Sequence, residues 1–323
     1  MNARRRILAA IGALALMPSA VAQQATKLRR IGFFSMGGSQ SDAGWLDAFR
    51  EAMAQLGWVD GRDYTIDARY ADGNTAVGDR SAAQLVATQP DVLLTTAEAS
   101  MKPLAAKTKT IPIVFTRAAD PVGNGFAASL PRPGGNITGV LSFEQQLAPK
   151  RLELLKQAVP RLSHVAVLFQ PGAPNSMAQM KEVEQAAGRL QMRLMLLDVR
   201  QADEIQPALT RGLNAGADGF VVTSAFLISV HRHAIANRLA QAKIPSIFGF
   251  SDAGGLMSYA PIVRENFKRA ATYVDKILKG ANPAELAIEQ PTTFELVLNL
   301  KTAKAIGLTI PQSLHLRADR VID

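Results

Sequence analysis

Three observations predict an α/β fold of two doubly wound lobes. From Arg30 onward, short apolar runs alternate with longer amphipathic ones, the pattern of parallel strands joined by crossover helices. The alternation runs through once and then begins again. The roughly 300 residues beyond the N-terminal leader also exceed the size at which one core usually keeps growing, so the chain is expected to divide.

In the first half, Ile31–Phe34 reads as a strand. Asp42 is a candidate cap for a helix whose Trp45, Phe49, Met53 and Leu56 recur on one apolar face, and Gly57 ends it. Tyr64–Ala68 is a strand, Ser81–Ala87 the end of a helix, and Val92–Thr95 a third strand. Ser100–Lys107 is a short helix, Ile113–Phe115 a fourth strand after Pro112, and Ile137–Val140 closes this half. The second half opens with a helix over Pro149–Val159, stopped by Pro160. Strands follow at Val165–Phe169, Leu194–Leu197, Phe220–Thr223 and Ser246–Phe248, with helices at Ser176–Leu190, Glu204–Leu213 and Ile228–Gln241. No sequence repeat connects the halves, so the repetition is architectural. The tail, a helix over Glu265–Leu278 and a strand over Phe294–Leu298, is too small for a third domain and is expected to supply elements to both lobes.

The N-terminus carries its own message. Arg4, Arg5 and Arg6 precede an apolar run from Ile7 to Met17, then Pro18-Ser19 and Ala20-Val21-Ala22. A basic end, a short apolar stretch and small residues before the cut make a secretory signal peptide over residues 1–22. The run is too short to span a bilayer, which needs about 20 apolar residues. Arg4-Arg5-x-Ile7-Leu8 also loosely resembles a twin-arginine signal. No cysteine follows the cleavage site, so no lipid anchor is expected there. The mature chain is expected to start near Gln23 and to be soluble outside the cytoplasm.

The chain has no cysteine, which excludes thiol nucleophiles, thiolate metal sites and disulfides together. The net charge of +9 falls by three once the leader arginines leave. Lys and Arg are scattered, with one local patch at Lys27-Leu28-Arg29-Arg30, so no nucleic-acid footprint is expected. His231 and His233 lie two apart on a predicted helix and point to different faces, so they share no metal. Gly123-x-Gly125-x-x-Ala128 matches a dinucleotide fingerprint on paper, but residues 117–122 separate it from the preceding strand. Gly249-x-Ser251-x-Ala253 approximates a nucleophile elbow without its final glycine, and His315 is the lone downstream histidine. A secreted α/β hydrolase using Ser251 is therefore a minor alternative. No cofactor, metal or catalytic residue is expected.

The polar clusters that follow predicted strands are more informative. They are Ser35-Met36-Gly37-Gly38-Ser39, Thr95-Thr96-Ala97-Glu98 and residues 116–121 in the first half. In the second half they are residues 170–176 with Asn175 and Ser176, Thr223-Ser224, and Gly249-Phe250-Ser251-Asp252. Doubly wound sheets bind ligands at the carboxyl ends of their strands, and free N–H groups at the helix starts suit an anion. Ser, Thr, Asn and Asp also cap helices wherever a loop meets one, so no single residue decides; six clusters at equivalent strand ends carry the inference. Trp45, Phe250 and Tyr259 are candidate apolar walls for an organic ligand.

Longer segments carry a resemblance. Arg30-Ile31-Gly32-Phe33-Phe34, Asp120-Pro121-Val122-Gly123, Arg132-Pro133-Gly134-Gly135-Asn136-Ile137-Thr138-Gly139 and Lys150-Arg151-Leu152-Glu153-Leu154-Leu155-Lys156 occur together with Gly254-Gly255-Leu256-Met257-Ser258-Tyr259. Residues 270–280 and 291–304 complete the set. The chain resembles the ABC-transporter substrate-binding family that includes tryptophan- and tyrosine-binding members, over nearly all of its mature length.

That resemblance implies a type I periplasmic-binding-protein fold: two Rossmann-like lobes, three hinge crossings and one ligand in the cleft between them. The crossings fall near residues 142, 254 and 289. They divide the chain into an N-terminal lobe of residues 27–142 plus 254–288 and a C-terminal lobe of residues 143–253 plus 289–323. Ser35, Gly37, Thr96, Ala97 and Asp120 are the implied ligand-binding residues of the first wall. Asn175, Ser176, Thr223, Ser224, Phe250 and Asp252 are those of the second. The loop between Phe250 and Gly254 is shorter than the family's usual one, and Gln170 stands where asparagine is common. The implied role is that of a periplasmic, monomeric solute-binding component of an ABC importer, capturing an amino acid or an aromatic or other organic acid. Its partner is a permease in the inner membrane with a cytoplasmic ATPase. A sensory protein that presents its closed form to a receptor kinase is the alternative within the same fold.

Overall fold

The computed structural model describes residues 28–251 and 253–323. The predicted signal peptide and Asp252 lie outside the described residues.

The first five strands are β1 (Arg29–Ser35), β2 (Tyr64–Tyr70), β3 (Val92–Thr95), β4 (Ile113–Ala118) and β5 (Ile137–Leu141). They form a parallel sheet in the order β2-β1-β3-β4-β5. Helices α1 (Ser39–Gln55), α2 (Thr75–Ala87) and α3 (Glu98–Lys107) connect them. Such strands are covered on both faces, which is why they read as unbroken apolar runs. Alternate residues separate into two cores. Ile31, Phe33 and Leu94 pack with Phe49 and Met53 of α1, whereas Phe34 and Leu93 pack with Leu85 of α2 and Leu104 of α3. Asp42 lies in the first turn of α1 and not at its cap, because the helix starts at Ser39.

Beyond β5 the chain enters α4 (Glu144–Ala158) and a second sheet of β6 (His164–Phe169), β7 (Arg193–Asp198), β8 (Gly219–Val222) and β9 (Ser246–Phe248). The helices between these strands are α5 (Pro174–Arg189), α6 (Ile205–Asn214), α7 (Phe226–Val230) and α8 (Arg232–Gln241). The single helix expected over Ile228–Gln241 is thus broken at His231. Three further strands join this sheet: β10 (Met257–Pro261), β11 (Phe294–Asn299) and β12 (Arg320–Ile322), in the order β12-β11-β10-β9-β8-β6-β7. The pairing is parallel except between β10 and β11.

β10 corrects the crossing placed near residue 254. Met257 and Ser258 pair with Ile247 and Phe248 of β9, so residues 257–261 belong to the second sheet. The chain returns at Ile262, directly before α9 (Val263–Leu278). This helix packs Phe267, Ala270 and Val274 onto the first sheet beside α1. The tail then recrosses after Glu289 and gives β11, α10 (Leu300–Ile306) and β12 to the second sheet.

The crossings are tied to one another. Glu289 bridges to β5, donating its N–H to Gly139 O at 3.0 Å and accepting from Leu141 N at 2.8 Å. Phe143, at φ +57, turns the chain from β5 into α4, and its ring meets Phe294 at 5.5 Å, which in turn meets Tyr259 at 6.3 Å. Arg269 of α9 grips the Glu289 carboxylate with two hydrogen bonds of 2.6 Å. The guanidinium holds that carboxyl below its ordinary range. A carboxyl depressed in the folded state contributes stability above its unfolded pKa and loses it as pH falls through the folded value. Glu289→Gln is therefore expected to flatten the acid limb of Tm against pH below about 4, the ordinary carboxylate range, in a calorimetric series. Unchanged curvature would show that the pair contributes nothing to acid stability.

Candidate functional site

The carboxyl ends of β1, β3 and β4 form one wall. Ser35 ends β1 buried, and its hydroxyl accepts from Gly37 N at 2.9 Å. Ser100, inside α3, binds this loop to the next: its Oγ accepts from Met36 N at 2.9 Å and meets Thr96 Oγ1 at 2.9 Å. Thr96 O in turn accepts from Thr116 N and Arg117 N. Ala97 is the N-cap residue of α3, without a side-chain cap. The Glu98 carboxylate in the first turn of that helix accepts from Ala119 N, and from Asp120 N at 3.0 Å. Asp120 itself is exposed, and its Oδ1 accepts from Gly123 N at 2.7 Å. The Gly123-x-Gly125 segment is thereby a turn and not the strand-to-helix corner of a dinucleotide site.

Arg117 stands out on this wall. Its guanidinium lies 5.3 Å from the centre of the Trp45 ring, which stacks on Phe267 at 5.8 Å. Among the described residues it makes no ion pair. A cation so placed gains from the ring's quadrupole and still offers its donors to an anion.

The second wall is built from the ends of β6, β8 and β9. Ser176, near the start of α5, is buried; its hydroxyl accepts from Gln170 N at 2.9 Å and meets Thr223 Oγ1 at 2.7 Å. Thr223 donates onward to Leu168 O at 3.0 Å. Ser224 donates to Gly249 O at 2.9 Å, and Gln179 brackets it by accepting from its N–H at 3.1 Å. Phe250 packs against Phe248, with ring centres 6.0 Å apart, as part of the lobe's own core. Ser251 donates to Glu295 Oε2 at 3.0 Å and not to a histidine.

Several polar atoms here are buried without a hydrogen-bond partner among the described residues: Gln170 Oε1, Asn175 Oδ1 and Ser142 Oγ. Ser142 is 4% exposed and lies at the crossing between the sheets. Buried polar atoms are nearly always satisfied, so such exceptions mark places where something else supplies the bond.

Beneath the second wall lies a buried ion pair that sequence reasoning did not single out. Arg151 of α4 is 1% exposed. It pairs with Glu144 and donates to Gln179 Oε1 at 2.9 Å and Tyr259 O at 2.7 Å. Glu144 Oε2 lies 3.1 Å from Ser224 Oγ and shares that hydroxyl's one proton with Gly249 O. The network thus joins α4, α5, the Ser224 loop and β10. Its sequence signal was available: Glu144, Leu147, Ala148, Arg151, Leu152 and Leu155 share one buried face of α4.

Two cavities flank the recrossing segment. One, of ≈540 Å³, is lined by Lys150, Tyr259, Phe294 and Arg317; the other, of ≈500 Å³, by Leu56, Arg269, Glu289 and Pro291. Of the residues singled out from the sequence, Tyr259, a candidate apolar wall, lines the first; none of the implied ligand-binding residues lines either. No group of three or more His, Asp or Glu able to hold a metal occurs among the described residues.

The family model described as "ABC transporter substrate binding protein" matches residues 41–322. A curated relative, a "Tyrosine-binding protein" of Clostridioides difficile, is 23% identical over 266 residues, covering 80% of this chain and 75% of its own. A solved "conserved domain protein" from Vibrio cholerae superposes with a TM-score of 0.84 at 26% identity, covering 91% of this chain and 100% of its own. A solved "ABC domain in complex with L-Trp" from Streptococcus pneumonia gives 0.83 at 25% identity, with the same coverage. The two sheets described above are accordingly the two lobes of a type I periplasmic-binding-protein fold.

Proposed function

Because this chain belongs to the ABC transporter substrate-binding protein family, a non-enzymatic, extracytoplasmic solute-binding type, we propose that it captures an amino acid or another small organic acid between its lobes. The observation that carries this reading is the set of buried polar atoms without a partner among the described residues, Ser142 Oγ, Gln170 Oε1 and Asn175 Oδ1. A ligand seated between the walls completes their hydrogen bonds, and burial makes those bonds count.

The chemistry of the walls favours an acid. Arg117, which makes no ion pair among the described residues, offers its guanidinium over Trp45, and the starts of α3 and α5 present N–H groups without side-chain caps; both suit a carboxylate. Ser35, Gly37, Thr96, Ala97 and Asp120 are the proposed contacts of the first wall, and Asn175, Ser176, Thr223, Ser224 and Phe250 those of the second. Asp120, exposed with one oxygen engaged by Gly123 N, is the proposed partner of a ligand ammonium. The tryptophan- and tyrosine-binding relatives make aromatic amino acids the first compounds to try. The lobes close on the ligand because it contacts both walls at once in that state. The monomeric, periplasmic protein then delivers its cargo to a permease driven by a cytoplasmic ATPase.

A thermal-shift series on refolded residues 23–323 tests this. The probes are L-tyrosine, L-tryptophan, 3-(4-hydroxyphenyl)propionate, tyramine and small dicarboxylates. A ligand at 100 times its Kd adds about 2.7 kcal/mol to stability. A rise in Tm with one or more of the acids and none with tyramine is expected. A shift with tyramine alone would contradict the carboxylate anchor, and no shift with any probe would contradict the ligand class.

A further inference from the structure

The two lobes touch where Phe226 meets Gly73 on the cleft rim. Phe226 opens α7, two residues beyond Ser224 of the second wall, and is 45% exposed. Its neighbours Ala225, Leu227 and Ile228 pack into the core of their own lobe, but Phe226 does not. Its ring rests on Gly73 of the opposite lobe. A Cβ added to Gly73 would lie 2.7 Å from Phe226 Cε1 and 3.2 Å from Cζ, so the contact exists because residue 73 has no side chain.

Gly73 is firmly backed. It adopts φ +79 and donates to Met36 O at 2.7 Å, while Ala71 N and Asp72 N donate to Ser35 O and Gly37 O. Asn74 then caps α2, accepting from Val77 N at 3.1 Å. The surface under the Phe226 ring is thus the back of the Ser35–Gly37 loop. A half-exposed phenylalanine outside its own core that meets the opposite wall gains apolar burial from lobe closure.

We infer that Phe226 is a latch: its ring seals the cleft rim against Gly73 in the closed state and sets how long the captured ligand stays. The inference rests on the capture of a ligand between the lobes. Burial of part of an aromatic ring on closure corresponds to roughly a tenfold change in ligand dissociation rate.

The absence of cysteine makes the test clean. Asp79→Cys on α2 and Arg211→Cys on α6, both exposed, place two spin labels on opposite lobes. Label distances are measured with and without L-tyrosine or L-tryptophan, and dissociation rates by stopped flow. Phe226→Ala is expected to raise the dissociation rate about tenfold and to lengthen the distance distribution, with the Tm of the ligand-free protein unchanged. Gly73→Ala is expected to block closure by its methyl group, and Phe226→Ala in that background to restore the short distance. Because φ +79 strains any alanine, the restoration is the decisive readout. A Gly73→Ala defect that persists in the double variant, or rates and distances indifferent to Phe226, would overturn the latch. Phe226-dependent closure without binding of either amino acid would instead overturn the proposed ligand class and leave the latch standing.

Discussion

Arg151→Ala is expected to destabilise the protein by about 3–5 kcal/mol, the usual cost of removing one partner from a buried ion pair. The guanidinium is buried and all three of its nitrogens are engaged, by Glu144, Gln179 and Tyr259 O. Without it, the Glu144 carboxylate remains buried, and its partner among the described residues is the Ser224 hydroxyl, whose proton is shared with Gly249 O. The control separates pairing from packing: Arg151→Met together with Glu144→Leu removes both charges and keeps the volume. Such paired replacements are often neutral or better, so the double variant is expected to recover most of the loss in urea unfolding. A single-variant loss under about 1 kcal/mol would place the pair with weak surface bridges and contradict its role as the joint beneath the second wall.

Gly139→Ala is expected to cost about 3 kcal/mol or more, at the upper end of overpacking effects. Gly139 lies in β5 at φ +151, opposite Phe115 of β4. An added Cβ would lie 2.7 Å from Phe115 N and 2.8 Å from Phe115 C, with Phe115 O closer still. These are backbone atoms of a neighbouring strand and cannot swing aside as a side-chain end would. The same strand carries the hydrogen bonds to Glu289, so the substitution also loosens the crossings between lobes. A shift in the urea midpoint worth less than about 1 kcal/mol would show that the two strands part more easily than their packing implies.

The uneven legibility of the chain has physical causes. Val92–Thr95 and Ser246–Phe248 were readable to the residue because each is a short apolar run bounded by turn residues. β10 was not, since Met257–Pro261 mixes Ser and Tyr with a terminal proline and joins the second sheet by pairing with β9 and β11, which no local signal announces. The six strand-end clusters were legible as a set, because strand ends and ligand loops coincide in doubly wound sheets. What each member does was less so: Thr223 and Ser176 bond chiefly to each other and to backbone, and Asp120 binds its own loop. Arg151 sat inside a Lys-Arg-Leu-Glu stretch that reads as a solvated face until the spacing from Leu147 is counted. Phe226 and Gly73 are separated by most of the first lobe and half of the second, and their contact is a property of the assembled lobes.

Isothermal titration of refolded residues 23–323 with L-tyrosine and L-tryptophan tests the central claim most directly, with an Asn175→Leu variant alongside. One ligand bound per chain, with a negative heat-capacity change from burial between the lobes, is the predicted result, together with at least a tenfold loss in the variant from its missing hydrogen bond and added bulk. A folded protein that gives no heat with either amino acid, or an Asn175→Leu variant that binds as tightly as the parent, would contradict capture in the cleft.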